Sequence, residues 1–491
     1  FFKQKTAYEI YQCDWSSDVC SSDLSEAPLH FRDHKKVALR GVGSYIAPPL
    51  PHGTSNRKAA VRQTLPKGTW RSLELAEHPF ALGLAPLSDR TEAFVASGAS
   101  EIARLKPVQP VTLLRPHAAR AAARFFVEKF PGKSLYAVKA NPSPDLIRVL
   151  WDGGVTHYDV ASIGEVRLVR ETLPQATLCF MHPVKAEEAI AEAYHEHGVR
   201  TFSLDSLEEL EKIVTATATD GVAASDLNLL VRLRVSSEHA KLSLASKFGA
   251  APDELKALLM AARQASDALG LCFHVGSQAM TPAAYAEAMI RVRDAIIEAA
   301  VTVDIVDVGG GFPSWYPGME PPALETYFAV IHEAFEKLPI SYSAELWCEP
   351  GRALCAEYAS VLVRVEKRRG DELYINDGAY GTLFDAAHIG WRFPVRLVRD
   401  EESDVREAPF SFYGPTCDDL DRMAGPFELP ADVAAGDYIE IGMLGAYGSA
   451  MRTGFNGFGS ASGWAVAVSD APMASLYGEA SAPARSNVVK L

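Results

Sequence analysis

Residues 135–142 read LYAVKANP, an apolar run that ends in a lysine and is followed directly by Asn-Pro. The apolar residues predict a short buried strand, and Asn-Pro predicts a turn after it. Lys139 is therefore expected at the C-terminal end of a strand, among apolar neighbours. Because burial disfavours the charged amine, we expect a lowered pKa of Lys139 and a usable nucleophile for a carbonyl group. On these residues alone, a surface lysine that only ends a strand is the alternative.

On both sides of this stretch, short apolar runs alternate with helix-length segments. From about residue 91 to 358 the runs lie at 111–114, 157–160, 177–181, 201–204, 227–234, 271–275, 305–308 and 344–348. This spacing predicts parallel βα units. About eight repeats without a G-x-G-x-x-G favour an α/β fold of the closed (β/α)8 TIM type over a doubly wound sheet. In such a barrel the chemistry collects at the C-terminal ends of the strands.

The periodicity changes after about residue 358. Alternating runs at 361–366, 372–376, 395–398 and 437–441 predict a second, mostly antiparallel β domain over 359–470. The Ala/Ser-rich residues 471–491 are expected to be a flexible tail. Residues 1–24 lack a signal-peptide pattern and resemble translated sequencing-adapter read-through, so we expect them to be non-native. Residues 25–90 are expected to be an irregular leader.

Composition is typical of a soluble globular protein and limits the partners. In 491 residues, 48 Lys and Arg against 62 Asp and Glu give a net charge of −14, which argues against nucleic acid or an anionic membrane as a partner. No apolar run approaches the roughly 20 residues of a membrane span. The cysteines beyond residue 24 show no C-x-x-C pair and no metal spacing, so no metal site is expected. We interpret them as reduced thiols of a cytoplasmic protein, four in the core and one chemical.

Polar groups of complementary kinds follow three of the predicted strands. His274 and Ser277 follow one, a run of glycines at 309–311 follows another, and a third ends at Glu349 and Arg352. Backbone N–H groups of glycines can approach an anion closely, so the run is a candidate phosphate site, although an isolated run is more often a flexible turn. Glu-Pro-Gly-Arg by itself is more often a surface turn. Together with the lysine, these groups suit a phosphorylated aromatic cofactor.

Seven motifs carry a family resemblance across residues 95–470. YAVKANP, YDVAS, FHVGSQ, DVGGGFP, CEPGR, GPTCDDLD and GAYGSAMRTGFNGF occur in this order. They resemble, in order and approximate spacing, the motifs of the fold-type-III, pyridoxal-phosphate-dependent decarboxylases of ornithine, lysine and diaminopimelate. The resemblance implies an alanine-racemase-like barrel with a C-terminal β domain and pyridoxal 5′-phosphate as the cofactor.

The resemblance also implies residue roles at the cofactor. Lys139 would hold the cofactor covalently, Glu349 would keep its pyridine nitrogen protonated, and His274 would stack on its ring. The cationic ring then accepts the electrons left when CO2 departs. The residues implied at the phosphate are Ser277, Gly309, Gly310, Gly311, Gly351, Arg352 and Tyr447. Those implied as polar support beside the lysine are Asp159, Glu165 and Arg234.

Other implied roles lie in the β domain. Cys417 would deliver a proton to Cα, and Asp418 would contact the distal amine of the substrate, both across the interface of an obligate homodimer with shared sites. A simply buried Cys417 is the alternative. Lys247 and Asp421 match an ion pair at that interface. By the same resemblance, Phe455 and Asn456 would pack near the cofactor.

The choice of amino acid depends on few residues. Asp385, within FDAAH at 384–388, resembles an aspartate that also holds the distal amine, and Tyr380 begins the loop before it; this loop is shorter than in the eukaryotic-type ornithine enzymes. Two acids, Asp385 and Asp418, favour L-ornithine, giving putrescine for polyamine synthesis, with L-lysine second. One methylene group discriminates by only about 1–3 kcal/mol, so dual activity is compatible. Acid after the cysteine disfavours diaminopimelate.

Three further functions stay open. One is a carboxynorspermidine or arginine decarboxylase of the same fold type. Another is a catalytically inactive regulatory homologue, although such proteins typically lose the lysine, the cysteine or the cofactor contacts. The third is a cofactor-binding homeostasis protein with a bare barrel, against which the added β domain argues.

Overall fold

The structure, a computed structural model, describes residues 96–478 apart from 237, 244–245, 401–403 and 459–463. The predictions for residues 1–24 and 25–90 lie outside the described residues. The helices are α1 Ala99–Ala103, α2 Pro116–Lys129, α3 Pro144–Asp152, α4 Ile163–Thr172, α5 Glu187–His195, α6 Leu207–Thr217, α7 Pro252–Ala265, α8 Ala283–Ala299, α9 Leu324–Glu336 and α10 Arg352–Cys355. The strands are β1 Val111–Leu114, β2 Lys133–Ala137, β3 His157–Val160, β4 Thr177–Phe180, β5 Thr201–Leu204, β6 Asn228–Arg232, β7 Ala240–Leu242, β8 Ala268–Cys272, β9 Ser277–Ala279, β10 Ile305–Asp307, β11 Glu345–Cys348, β12 Ala359–Arg369, β13 Glu372–Ile375, β14 Val395–Val398, β15 Glu407–Tyr413, β16 Arg422–Pro430, β17 Tyr438–Ile441 and β18 Trp464–Ala467.

Eight strands of the described chain close into a parallel barrel in the order β10-β11-β2-β3-β4-β5-β6-β8. Two of the helices between these strands begin at residue types that favour a helix N-terminus. Pro144 occupies the first turn of α3, and Ser162 caps α4 by accepting a hydrogen bond from Glu165 N at 3.3 Å. Strand β5 is buried along its whole length, as expected for a sheet covered on both faces. The predicted (β/α)8 barrel is confirmed.

The barrel is a packed core rather than a pore. Six of the eight barrel strands each place a residue in a separate buried cluster. Its barrel-strand members are Leu135, Cys179, Leu230, Cys272, Ile305 and Trp347. Filling the interior in this way leaves the C-terminal ends of the strands as the place where polar side chains can meet.

The second sheet is built from both ends of the described chain. It has the order β14-β17-β12-β13-β15-β16, and β1 and β18 extend it beside β12. Strand β1 was grouped with the barrel repeats from its sequence, and that assignment is wrong. Val111 and Leu113 are fully buried against Leu362 of β12 and Val466 of β18, so the β domain supplies their apolar surroundings. Most pairs in this sheet are antiparallel, as predicted.

A buried ion cluster joins the first barrel helix to the β domain. Arg115, directly before α2, donates to Glu440 Oε1 of β17 and to Ser360 Oγ of β12, both at 2.8 Å. Arg396 of β14 binds the other oxygen of Glu440. The two guanidinium groups outweigh burial and lower the pKa of Glu440, so the carboxylate stays charged.

Ala474, Leu476 and Tyr477 pack against the core, although a flexible tail was expected from residue 471. Leu476 N donates to Glu357 Oε1 at 3.0 Å, and the Tyr477 hydroxyl donates to Ala353 O. The ring of Tyr477 lies 5.2 Å from that of Phe125 on α2. An aromatic anchor and a backbone hydrogen bond hold this segment, and residues 479–491 lie outside the described part.

Four of the five cysteines beyond residue 24 are buried, as expected. Cys179, Cys272, Cys348 and Cys355 are buried and Cys417 is exposed, all of them as free thiols. In the part of the chain that the structure describes, no helix combines the length and apolar character needed to cross a membrane.

Candidate active site

Lys139 lies in a short 3-10 turn, Val138–Ala140, directly after β2. Its Nζ donates to Asp159 Oδ2 at 3.0 Å, and 43% of the lysine side chain is exposed while Asp159 is buried. Burial acts to lower the pKa of Lys139, but the charges of Asp159 and Glu349 outweigh it and the pKa is raised. The expected lowered pKa is wrong, because the local sequence does not show which carboxylates fold against the amine.

Two buried carboxyl groups end neighbouring strands, Asp307 on β10 and Glu349 directly after β11. Glu349 N donates to Gly309 O, and Gly309 N donates to Asp307 Oδ1, both at 2.8 Å. Burial above all raises the pKa of Asp307 to about 7, and burial with the charges of Asp307 and Asp159 raises that of Glu349 well above its usual range. The pair therefore retains a proton near neutral pH. Sequence reasoning assigned no role to Asp307, although it ends a strand and lies in DVGGGFP.

His274 follows β8 and is half-buried. Gly276 N donates to its Nδ1 at 3.0 Å, which leaves the hydrogen of the neutral ring on Nε2. Burial, followed by the charges of Arg232 and Lys139, lowers the pKa of His274 well below its usual range. The ring is therefore neutral at pH 7 and can present an uncharged face.

The arginine whose charge acts on this site is Arg232, the last residue of β6, and sequence reasoning missed it. Its charge favours the ionised form of Glu349. Arg234, the predicted residue, is exposed, and its Nη2 donates to Gly249 O at 3.0 Å. The sequence predicts one strand over 227–234, in which alternation puts both arginines on the same face. It does not show that the strand ends at Arg232.

Residues 309–311 form a glycine turn whose three carbonyl oxygens accept hydrogen bonds from neighbouring segments. Within the described residues, the N–H groups of Gly310 and Gly311 have no acceptor. A Cβ on Gly310 would lie 2.8 Å from Glu349 O and 3.0 Å from His274 Nε2. Crowding thus requires glycine here, and two uncommitted N–H groups beside the site suit an anion.

Arg352 is buried, and its guanidinium is held on several sides. Nη1 donates to Tyr316 Oη and Nη2 to Asp385 Oδ2, both at 3.0 Å. The rings of Trp391 and Tyr447 lie 4.4 and 4.8 Å from its Cζ. Its Nε has no partner among the described residues. Asp385, predicted at the substrate amine, is therefore already paired with the arginine predicted at the phosphate.

The remaining predicted barrel residues surround these groups. A Cβ on Gly351 would lie 3.2 Å from that of Ala140, so Gly351 lets the chain pass close to the lysine turn. Tyr447 N donates to Ala140 O at 2.8 Å, which brings the C-terminal motif to the same turn. Ser277 begins β9. Glu165 accepts a backbone hydrogen bond at the start of α4, a structural contact.

A second group of predicted residues, here termed the thiol cluster, lies together on the β domain: Tyr380, Cys417, Asp418, Phe455 and Asn456. Asn456 Oδ1 accepts hydrogen bonds from Cys417 N and Sγ, both at 3.2 Å. The Tyr380 hydroxyl donates to Asp418 Oδ2, and the rings of Tyr380 and Phe455 lie 4.7 Å apart. Among the described residues, the hydrogen bonds of Cys417 and Asp418 stay within the β domain. Asn456, which the resemblance places near the cofactor, contacts Cys417 in the structure.

Asp421 is buried and bonded within its own domain. Its Oδ1 accepts from Ala379 N at 2.7 Å, and its Oδ2 accepts from Thr416 N and Oγ1 at 3.0 and 2.7 Å. The ammonium of Lys247 lies 5.0 Å from the ring centroid of Phe248. An ion pair between Lys247 and Asp421 across an interface stays a prediction, and it would add to bonds that Asp421 already makes.

The group at the barrel mouth fits a phosphorylated aromatic aldehyde. It combines a primary amine, a neutral imidazole ring, a carboxyl pair and a glycine turn with uncommitted N–H groups. Two of its buried polar atoms, Arg352 Nε and Asp307 Oδ2, lack a partner in the described chain. Such atoms are rare in folded proteins, and a bound ligand is one common explanation.

Comparison with known proteins identifies the family. A family model described as the pyridoxal binding domain of pyridoxal-dependent decarboxylases matches residues 117–356. The chain is 32% identical over 334 residues to the lysine/ornithine decarboxylase of Selenomonas ruminantium, covering 66% of this chain and 80% of that protein. The chain belongs to the pyridoxal-phosphate-dependent basic amino acid decarboxylases. Its cofactor is pyridoxal 5′-phosphate.

Solved structures of this decarboxylase family share the fold. The arginine decarboxylase of Paramecium bursaria Chlorella virus, solved with agmatine, is 27% identical with a TM-score of 0.65, over 75% of this chain and 99% of that one. A lysine/ornithine decarboxylase from Vibrio vulnificus, solved with cadaverine, is 30% identical with a TM-score of 0.63, over 75% and 97%. These relatives are named for different amino acids, so membership establishes a decarboxylase without choosing among its substrates.

Proposed function

We propose that this decarboxylase converts L-ornithine to putrescine and accepts L-lysine as its second substrate. The proposal rests on Asp418, which directly follows Cys417 and accepts a hydrogen bond from the Tyr380 hydroxyl. That hydrogen bond and the N–H of Leu420 hold the pKa of Asp418 below its usual range, so the carboxylate is ionised at neutral pH. An ionised carboxylate suits the cationic distal amine of ornithine or lysine, and disfavours the second carboxylate of diaminopimelate.

Asp385 is the second acid in the proposed pocket. Because Arg352 engages its Oδ2, we propose that the substrate amine approaches Oδ1. Pairing with Arg352 also links this acid to the proposed phosphate site. The distance between the cofactor and the two acids would then determine which length of substrate fits. A single methylene group changes this fit by only about 1–3 kcal/mol, so lysine is expected to react more slowly rather than not at all.

The barrel-mouth residues would hold the cofactor and the proton that its chemistry needs. Pyridoxal phosphate, when bound, supplies the sink for the electron pair that remains when CO2 leaves. Lys139 would attach it through Nζ, and Arg352 with the N–H groups of the glycine turn would bind its phosphate. His274 would cover one face of the ring. The pair of Asp307 and Glu349 keeps a proton near neutral pH for the ring nitrogen.

Cys417 is the proposed proton donor at Cα. As the carboxylate departs, the S–H bond breaks, its proton takes the vacated position on Cα, and the thiolate regains a proton from water. In the described chain, the hydrogen bonds of Cys417 and Asp418 stay within the β domain. We therefore propose that these residues complete the barrel site of a second copy, and that the active unit is a homodimer. A thiol that must stay reduced suits the cytoplasm.

The test is release of CO2 by purified protein loaded with pyridoxal phosphate. The panel is L-ornithine, L-lysine, L-arginine and meso-diaminopimelate, with each product identified by its mass. We expect the highest kcat/KM with ornithine, lysine lower by about 10- to 200-fold, and little reaction with the other two. A preference for arginine or diaminopimelate would refute the proposed role of Asp418. No reaction with any of the four, with the cofactor bound, would favour a longer substrate or an inactive homologue.

A further inference from the structure

The turn Gly454–Gly457 lies against Cys417 and depends on the residue at its centre. Asn456 has a φ of +53° and a ψ of 14°, in the left-handed region that asparagine tolerates better than most residues other than glycine. From this conformation its Oδ1 accepts hydrogen bonds from both Cys417 N and Cys417 Sγ. One residue thus shapes the turn and holds the cysteine.

The same segment holds the neighbouring acid through Tyr380. Thr453 N donates to Tyr380 O at 2.9 Å, and the ring of Phe455 lies 4.7 Å from that of Tyr380. The Tyr380 hydroxyl in turn donates to Asp418. Residues 453–456 therefore contact Cys417 directly and Asp418 through one intermediary.

We propose that Asn456 is a positioning residue that holds the thiol hydrogen of Cys417 in one orientation until the substrate carbon replaces the amide oxygen as its acceptor. The proposal rests on the proposed function, in which this thiol is the proton donor. A thiol has one hydrogen and rotates easily about its C–S bond, so a single fixed acceptor selects one orientation. The second hydrogen bond, from Cys417 N to the same oxygen, fixes the backbone that carries the thiol.

Substitutions can separate the amide from the backbone conformation. Asn456→Gly keeps access to a positive φ and removes the acceptor, whereas Asn456→Asp tolerates the same φ and keeps an acceptor oxygen. The control is Asp220→Gly, because Asp220 is also exposed and has a φ of +51° but lies in the barrel part of the chain. A general effect of glycine at a positive φ would change both glycine variants.

The first readout is alkylation of Cys417 by iodoacetamide, followed on its tryptic peptide by mass spectrometry, with the full chain. We expect Asn456→Gly to react about fivefold faster, the factor that corresponds to a hydrogen bond of about 1 kcal/mol. Asn456→Asp should react at or below the wild-type rate, and Asp220→Gly at the wild-type rate. An unchanged rate for Asn456→Gly would overturn the proposal.

The second readout is the kinetics of CO2 release with ornithine. We expect Asn456→Gly to lower kcat about fivefold with KM within twofold, because delivery of the proton slows while binding persists, and Asn456→Asp to recover most of kcat. Faster alkylation with an unchanged kcat would also overturn the positioning role. If no amino acid reacts and alkylation is still faster, the hold on the thiol is supported and the proposed function is contradicted.

Discussion

The ammonium of Lys139 and the carboxylate of Asp159 lie 3.0 Å apart, and this contact decides the charge of the lysine. The raised pKa means that the amine is a cation at neutral pH and must lose a proton before it can attack a carbonyl. The pKa values of Asp307 and Glu349 are raised as well, but in a carboxyl group this favours the neutral form, because burial and neighbouring carboxylates disfavour its charge. In both cases the cause is the burial and the neighbouring charges that the closed barrel creates.

Lys139→Arg tests the covalent role without removing the cation beside Asp159. Arginine keeps the charge but cannot attach pyridoxal phosphate, so we expect loss of the visible absorption band and a fall in CO2 release of at least about a thousandfold. Spectroscopy and borohydride reduction followed by peptide mass spectrometry are the measurements. Lys256→Arg, on the exposed face of α7, is the matched control and should behave as wild type. Label retained by Lys139→Arg would place the attachment elsewhere.

The glycine turn shows how crowding specifies a residue type. Its carbonyl oxygens are tied to neighbouring segments, so the turn cannot move away from an added side chain. Its position depends on β10 and β11 being adjacent in the barrel, since Glu349 N donates to Gly309 O between them. The anion site is therefore a property of two strands and the loop after one of them.

Gly310→Ala is expected to weaken the binding of pyridoxal phosphate by about 10- to 100-fold. The new Cβ would lie 2.8 Å from Glu349 O, and relief requires a shift of the backbone that presents the N–H groups. A fluorescence titration of the cofactor measures the effect. The control is Gly164→Ala in α4, where the nearest atom is 3.7 Å away and alanine favours the helix. Equal affinities for the two variants would show that the turn does not bind the phosphate.

Glu357, at the junction of the barrel and the β domain, holds residues 475–477 near the end of the described chain. Burial raises the pKa of this carboxyl to about 7, against about 4.5 when it is exposed. Between these values the folded state binds more protons than the unfolded state, so stability falls as the pH rises from about 4.5 to 7 and then levels off.

Glu357→Gln removes this dependence, because the amide has no proton to lose and can still accept the hydrogen bond from Leu476 N. We expect the free energy of unfolding of the variant, relative to wild type, to rise by about 2 kcal/mol between pH 5 and pH 8. Thermal and urea unfolding at both pH values provide the measurement. Glu298→Gln, an exposed change on α8, should show no such difference. A variant whose relative stability is the same at both pH values would contradict the assignment.

The proposed homodimer predicts complementation between two inactive variants. If Lys139 and Cys417 of different copies form one site, then mixing Lys139→Arg with Cys417→Ala restores about a quarter of the wild-type sites, because half of randomly formed dimers are mixed and each has one intact site. Activity after refolding the two chains together is the measurement. The control pairs Lys139→Arg with Glu349→Gln, both at the barrel mouth, and should stay inactive. If mixing Lys139→Arg with Cys417→Ala restores no activity, each chain holds a complete site and the shared site is refuted.

Local order along the chain is enough to predict much of this protein. The 3.6- and 2-residue periodicities predict the barrel and the β domain, and seven ordered motifs indicate the family and most residues at the barrel mouth. These periodicities and motifs consist of residues that are close together in the sequence, so they can be recognised without the structure. The raised pKa of Lys139, the pairing of Arg352 with Asp385, the place of β1 and the hold of Asn456 on Cys417 depend on residues 20 to more than 300 positions apart. Electrostatic interactions, packing and hydrogen bonds depend on distances in space. These four features are therefore determined only when the closed barrel and the second sheet bring the residues together.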